Sequence, residues 1–293
     1  MVSICIVNWN TRELLAACLR SLAAWPPAEP HEILVADNDS ADGSAEMVAA
    51  DFPDVTLVRT GANLGFAAGN NVLLRRARGQ WLLLLNPDTE IRPELDDRPI
   101  DTLIDHLRAY PQCAAVSARL VQPDGATQLS CRGFPTPLAL AAEWTGLARL
   151  WPRTAGGYRM RWFDHETEAS VDQPMASCLL VRRSALRRVG LFDERFPIFF
   201  NDVDLSLRLV ADGWTMDYQP AASILHLGGG TTRLVRRKMV LASRDSLLVF
   251  YAKHYRRRAA YWPTVWAIRT AFGIRMAVDA LREGSAAFGR VLA

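Results

Sequence analysis

Two aspartate motifs and one histidine motif in this sequence have residue types and settings that could do chemistry. In Leu83-Leu84-Leu85-Asn86-Pro87-Asp88, an apolar strand over 81–85 runs out into a carboxylate. Pro87 removes a backbone donor and ends the strand. Ligands of open α/β sheets bind beyond the carboxyl ends of the strands. A carboxylate there can hold a divalent cation against a diphosphate, since hard cations take oxygen ligands; an ordinary turn with a solvated Asp has the same pattern. The second motif, Asn201-Asp202-Val203-Asp204, follows the apolar run Ile198-Phe199-Phe200. Both acids fall at a helix start, where orphan N–H groups and the dipole favour negative charge. They read as capping acids or as a general base at the mouth of a cleft. The third motif, His226-Leu227-Gly228-Gly229-Gly230-Thr231, follows a strand at 223–225. Its glycines allow close backbone approach to a ligand, and the histidine can ligate metal or donate to phosphate. A flexible turn beside a surface histidine fits it as well.

The elements that must position these motifs alternate. Strands are expected over 2–7, 32–36, 55–58 and 80–85, with helices over 11–24, 45–50 and 65–77 between them. Leu14, Leu15, Cys18, Leu19 and Leu22 give the first helix its apolar stripe. Asp37-Asn38-Asp39-Ser40-Ala41-Asp42-Gly43-Ser44 is a polar turn with helix N-cap character. This order argues for a parallel sheet with helices on both faces. Neither GxGxxG nor GxxxxGK[ST] is present, so the dinucleotide fingerprint and the P-loop are excluded. Farther on, a helix spans 100–109, and strands over 114–121 and 127–129 flank the hairpin signal Gln122-Pro123-Asp124-Gly125. Residues 134–157 read as irregular to helical, 177–181 as a strand and 182–189 as a short basic helix.

Half of the 293 residues are hydrophobic, enough to bury a large core. No charge-free apolar run of membrane-spanning length occurs. Met1 leads directly into the first strand with no basic leader, which argues against secretion. Cys5, Cys18, Cys113, Cys131 and Cys178 are odd in number and scattered, as expected of small buried residues in a reducing compartment. The 32 Arg against 2 Lys read as a composition bias without mechanistic content. From Thr231 onward, 13 basic residues against 3 acids give 13 − 3 = +10, which leaves 21 − 28 = −7 on the preceding 230 residues. A basic tail on an acidic body suggests an anionic partner. Within the tail, Tyr261, Val265, Ile268, Phe272 and Met276 share a helical stripe, with Trp262 and Trp266 beside it, Arg256, Arg257 and Arg258 before it and Arg269 and Arg275 flanking it. The stripe reads as core packing, or as an interfacial helix at the cytoplasmic face of a membrane. Pro263 suits a first helical turn.

Taken together, Val7-Asn8-Trp9-Asn10, Val35-Ala36-Asp37-Asn38-Asp39-Ser40, Asn63-Leu64-Gly65-Phe66-Ala67-Ala68-Gly69-Asn70, Leu85-Asn86-Pro87-Asp88, Phe192-Asp193-Glu194, Asn201-Asp202-Val203-Asp204 and His226-Leu227-Gly228-Gly229 resemble an inverting family 2 glycosyltransferase of the GT-A fold, close to the bacterial rhamnosyltransferase-like branch. The resemblance runs from residue 2 to about 255. It implies an α/β GT-A catalytic domain over 1–230, with a nucleotide-sugar half at 1–90 and an acceptor half at 91–230, and a basic helical extension over 231–293. It also implies that Asn8, Asp37, Asp39, Asn63, Gly65, Asn70, Asn86 and Asp88 line the nucleotide-sugar site, with Asp37 at the base. Asp88 and His226 would hold Mg²⁺ or Mn²⁺, Asp202 would be the catalytic base, and Asn201 and Asp204 would support it or the acceptor, Asp204 by capping the helix.

Two departures stand out. Asn201 replaces the usual Glu, which should lower the pKa of Asp202 relative to a paired site. Ala176-Ser177 replaces a Gly-Ala pair and narrows the acceptor side. The processive signature Gln-x-x-Arg-Trp is absent, so one sugar per acceptor is expected. The implied partners are a dTDP- or UDP-sugar donor (dTDP-L-rhamnose first, a UDP-hexose second), a glycan or lipid-linked acceptor, and an anionic membrane surface for 231–293. No nucleic acid is implied. The expected location is cytoplasmic, peripheral on the inner membrane face. Asn201 favours the alternative of a non-catalytic nucleotide-sugar-binding or scaffolding protein; the retention of Asp88, Asp202 and His226 opposes it.

Overall fold

Strand β1 (Val2–Asn8) is buried along nearly its whole length, as a central parallel strand requires. In the computed structural model, which describes residues 1–150, 157–228, 236–274 and 276, it is followed by α1 (Arg12–Ala24), β2 (His31–Asp37), α2 (Ser44–Asp51), β3 (Thr56–Arg59), α3 (Gly65–Arg76), β4 (Trp81–Leu85) and β5 (Thr89–Glu90). Next come α4 (Pro99–Ala109), β6 (Cys113–Val121), β7 (Cys131–Arg132), α5 (Pro137–Thr145), α6 (Leu147–Leu150), β8 (Ala169–Ser170), β9 (Gln173–Pro174) and β10 (Cys178–Arg182). The chain continues through α7 (Arg183–Val189), α8 (Asn201–Ala211), β11 (Thr215–His226) and α9 (Arg236–His254). A last described helix, α10, covers 261–274.

The main sheet runs in the order β3-β2-β1-β4-β10-β6-β11-β5, with β8 also paired to β11. The four strands of the N-terminal half are mutually parallel, and β11 is parallel to β6. β10 is antiparallel to both β4 and β6 and joins the two halves. A small second sheet pairs β7 with β9.

Alternation along the strands supplies two apolar layers. Ile4, Ile6, Leu83 and Leu85 point to one face, where α1, α2 and α4 pack through Leu15, Leu19, Val48, Leu103 and Leu107. Cys5, Leu34, Leu82, Leu84 and Val181 point to the other, against Leu73 and Leu74 of α3, Leu186 of α7 and Leu205 of α8. All five cysteines are buried and free. Burial pushes the thiols of Cys5, Cys18, Cys131 and Cys178 up to about 12. Cys113 is raised as well, by burial and by Asp217 beside it.

Where the fold differs from the sequence reading, tertiary pairing is the cause. The strand expected at 223–225 is the end of a twelve-residue strand. Its earlier part is hidden by Asp217 and Pro220, and its register to β6 shifts between Gln219 and Ser223. The Gln122–Gly125 turn forms, with Gly125 N–H donating to Gln122 O at 2.9 Å, but beyond it only a single bridge joins Val121 and Thr127. β5, β7, β8 and β9 are two-residue strands, too short to carry a periodic signal.

The chain separates into two compact units, Met1–Arg236 and Arg237–Ala293. The boundary expected at 230/231 falls within 229–235, outside the described residues, as do Gly229, Gly230, Thr231, Arg275 and 277–293. In the second unit, Phe250 and Tyr251 of α9 are buried, and the Tyr251 ring stacks on that of Tyr255 at 4.9 Å. Val265 and Ile268 of the expected stripe are buried in α10, while Trp262 and Trp266 are 73% and 74% exposed.

The start of α3 is a tight joint in the first unit. Gly65 has φ +77°, and a Cβ there would lie 2.7 Å from Pro197 O, the atom that accepts from Phe66 N–H at 2.7 Å. Gly65→Ala should therefore destabilise the protein by about 1–3 kcal/mol. Urea unfolding checks this, with a lower midpoint at unchanged m-value expected.

Candidate active site

The ends of β1 and β2 are level, with Asn8 opposite Asp37 in the ladder. Asn8 is buried and donates through Nδ2 to Asp37 Oδ1 and to Ser40 Oγ, both at 3.1 Å, while its own Oδ1 accepts from Thr11 at 2.6 Å. Asp37 Oδ2 accepts from Ser40 N–H at 3.0 Å. Asp39 stands exposed at the tip of this turn with φ 62°. Asn38 donates to Gly65 O at 3.1 Å, and Asn63 Oδ1 accepts from Gly65 N–H at 3.0 Å. The turn after β2 is thereby tied to the start of α3. Asn70, buried in α3, donates to Phe66 O at 3.0 Å. Its neighbour Asn71 clasps Phe192-Asp193-Glu194: its Nδ2 donates to Phe192 O and Glu194 Oε1, both at 2.9 Å, and its Oδ1 accepts from Phe192 N–H.

Beyond β4, the Asn86–Asp88 turn meets the end of β11. Thr89 pairs with His226, and Leu227 N–H donates to Asp88 O at 2.9 Å. His226 Nε2 lies 3.4 Å from Asp88 Oδ1 and is buried without a hydrogen-bond partner among the described residues. Its Nδ1 lies 2.6 Å from Gln128 Oε1. The Gln128 amide nitrogen faces Met175 Sδ at 4.0 Å, so Nδ1 is the ring donor. In the neutral ring, Nε2 then presents a lone pair to a carboxylate oxygen. Two facing acceptors fit a cation between them, and the histidine, oriented by its other nitrogen, suits a divalent metal. The residues present therefore fit the group that the resemblance implies.

Asp202 sits in the first turn of α8, immediately after Phe200, which has a left-handed φ of 65°. Its Oδ1 accepts from Val203 N–H at 2.9 Å and its Oδ2 from Gln173 Nε2 at 3.0 Å. Removal from water pushes the Asp202 carboxyl above the ordinary range; backbone N–H donors, including Val203 and Ala176, and the nearby Arg132 offset part of that. Tyr158 is likewise raised, by its own burial and then by Asp202.

Asn201 is buried and turned away, donating to Ile198 O at 2.6 Å and Phe196 O at 3.4 Å. The state of Asp202 is thus set by burial, a cause the sequence does not display. Asp204, also in the first turn of α8, is held by an arginine. Its side chain is fully buried and accepts from Arg208 Nε one turn on, at 2.9 Å, and Arg208 also holds the carbonyls of Val189 and Leu191.

The halves are bridged by 173–177. Asn86 N–H donates to Ser177 O at 2.9 Å and Asn86 Nδ2 to Ser177 Oγ at 3.1 Å, while Gln173 holds Asp202. Sequence reasoning missed Gln128, Gln173 and Asn71, because side-chain amides that hold other side chains leave no periodic trace. A separate cluster of His106, Cys113 and Asp217 lies at the opposite strand ends. There His106 Nε2 meets Asp217 Oδ2 at 2.9 Å and Cys113 donates to Ala115 O, which satisfies both.

The sequence profile of "Glycosyl transferase family 2" matches residues 3–161. An N-acetylglucosaminyl-diphospho-decaprenol L-rhamnosyltransferase of Mycobacterium tuberculosis is 32% identical over 261 residues, covering 84% of this chain and 82% of its own. The low-salt glycan biosynthesis hexosyltransferase Agl10 of Haloferax volcanii is 24% identical, covering 71% and 61%. Among solved structures, the mannosyltransferase PcManGT of Pyrobaculum calidifontis in complex with GDP-Man and Mn²⁺ superposes with a TM-score of 0.56 at 19% identity, over 97% of this chain and 79% of that one. S. aureus TarS 1–349 in complex with UDP gives 0.55 at 13% identity, over 90% and 69%.

The burial of Asp202 has a pH signature. Its folded pKa is raised above the ordinary 3.8, so the native state binds the proton more tightly than the unfolded one. Stability falls as pH rises through that window and levels off above the folded value. Asp202→Asn should therefore raise the unfolding midpoint at neutral pH, and the gain should vanish on acidification below the ordinary carboxylate range. Thermal unfolding of both proteins across this range measures it.

Proposed function

Because the chain belongs to glycosyl transferase family 2, in a rhamnosyltransferase-like branch, and is a glycosyltransferase with a GT-A fold, we propose that it moves one L-rhamnose per turnover from dTDP-L-rhamnose to a hydroxyl of a lipid-linked glycan, with inversion. The M. tuberculosis relative supports the transferred sugar and the acceptor class by its name. The observation that carries the proposal is the separation of two kinds of carboxylate. Asp88 faces, at 3.4 Å, a buried histidine nitrogen without a hydrogen-bond partner among the described residues, while Asp202 belongs to a different element and is held by Gln173.

In this reading Asn8, Asp37, Asp39, Asn63, Gly65, Asn70 and Asn86 form the nucleotide-sugar side. Asp88 and His226 hold Mg²⁺ or Mn²⁺, which neutralises the leaving diphosphate as a Lewis acid when bound. Asp202 takes the proton of the acceptor hydroxyl as that oxygen bonds to the anomeric carbon and the bond to the diphosphate oxygen breaks. A carboxylate raised by burial is a better proton acceptor than a solvated one. Gln173 fixes its orientation. Asn201, which favoured a non-catalytic protein, has a different task, holding the carbonyls of the loop before α8.

The same reading gives the second unit a membrane role at the cytoplasmic face. No helix among the described residues is long and apolar enough to cross a membrane. Trp262 and Trp266 are exposed, and Arg256, Arg257 and Arg258 just before them are exposed too. Tryptophan beside arginine suits an anionic headgroup layer.

Two tests follow. Asp202→Asn should lower kcat by about 10²–10⁴-fold with donor binding retained, and Asp88→Ala should abolish turnover and metal-dependent nucleotide binding. Steady-state kinetics and calorimetric titration of dTDP with Mn²⁺ read these; wild-type binding by the Asp88 variant would exclude the metal assignment. Trp262→Ser/Trp266→Ser should reduce co-sedimentation with anionic vesicles while turnover of a soluble acceptor stays unchanged.

A further inference from the structure

Helices α5 and α6 are apolar on the wrong side. Their protein-facing residues are Ala139, Leu140, Ala142 and Ala148, while Leu138, Trp144, Leu147 and Leu150 are 73%, 43%, 44% and 70% exposed. A helix packed on a soluble domain shows the reverse, with large apolar residues inward and polar ones outward. The one charged residue of α5, Glu143, is turned to Arg159 and Arg161, at 3.8 and 3.4 Å. The outward face of α5 therefore carries no charge. Trp162, 44% exposed, follows in the same segment. Large exposed apolar residues concentrated in one segment mark an interaction surface.

We propose that α5 and α6 are a bilayer-docking surface on the acceptor side of the site, an inference that rests on the lipid-linked acceptor proposed above. Charge selects the occupant. Between Cys131 and Trp162 the sequence has five Arg (132, 149, 153, 159, 161) and one acid, Glu143, so 5 − 1 = +4. Leucines that enter the acyl boundary, tryptophans at headgroup depth and arginines on lipid phosphates match an anionic membrane. The segment is continuous with the candidate site: Gly133 N–H donates to Tyr158 O at 2.9 Å, Arg132 acts electrostatically on Asp202, and Asp202 acts on Tyr158. Docking here brings the base to the headgroup plane, where a lipid-linked acceptor presents its sugar.

The test uses the full chain and Leu138→Ser/Leu150→Ser, whose sites are exposed and whose thermal midpoint should match wild type. Vesicles of phosphatidylcholine with and without phosphatidylglycerol measure partitioning, and a short-chain, water-soluble acceptor analogue measures transfer. Wild type should co-sediment with the phosphatidylglycerol vesicles. The variant should lose about tenfold or more in partitioning and gain in KM for a vesicle-embedded acceptor, with kcat/KM for the soluble analogue unchanged. Unchanged partitioning of the variant overturns the proposal, as does wild type that binds neither vesicle. So does a wild-type dimer, seen by light scattering, that the substitutions dissociate, since the patch would then join two copies of the chain. Vesicle binding lost in the variant, with no transfer to the soluble analogue by wild type, supports docking and counts against the glycosyl-transfer reading alone.

Discussion

The antiparallel seam between β4 and β10 is the constraint on which the rest of the site depends. Leu85 pairs with Cys178, and Asn86 extends the seam by one backbone and one side-chain bond to Ser177. Immediately upstream, Gln173 holds Asp202 and Met175 N–H donates to Ser130 O. The Asp88 turn, the Asp202 helix and the loop carrying Gln128 thus all refer to one five-residue segment. A displacement there would move the Asp88 and Asp202 carboxylates together, whereas each could drift alone if they hung on separate loops. Sites of this kind lose activity for shifts of about 1 Å.

The N-terminal half was legible in the sequence because its central strands, β1 and β4, are continuous apolar runs buried on both faces, and Pro26-Pro27 and Pro87 punctuate the chain. Asn86-Pro87-Asp88 and Asn201-Asp202-Val203-Asp204 were legible because each follows an apolar run and stands out from it. The acceptor half was harder. A two-residue strand such as Gln173–Pro174 has no period, and Asp217 and Pro220 disguise the first part of β11. The amides of Gln128 and Gln173 act across 98 and 29 residues, respectively. No local pattern encodes contacts of that range. The Asp204–Arg208 pair was hidden for a related reason: propensity at a helix start points to a cap, and only the packed structure brings Arg208 to that carboxylate.

Strain and burial concentrate around the same few positions. Phe200 adopts a left-handed φ just before the candidate base, and Asp39 does so at the tip of the turn after β2. Asp202 is kept in a setting that disfavours its charged form. Such features cost stability and persist only where the surrounding structure over-determines them, which here Asn201, Asn71 and Arg208 do through bonds to loop carbonyls.

The buried cysteines turn the fold into its own reporter. Alkylating reagents attack the thiolate, and burial holds Cys5, Cys18, Cys131 and Cys178 in the thiol form up to about 12. In the closed molecule they are chemically silent, so each records only the moments when its own region opens. Cys18 lies under the Asn86 turn, its Sγ 3.9 Å from Asn86 O. Cys178 begins the seam strand, Cys131 adjoins Arg132, and Cys5 lies deep in β1, away from the site. Single-cysteine versions of this chain would time the breathing of the floor of the site against that of the sheet, without a spectroscopic label and without any ligand.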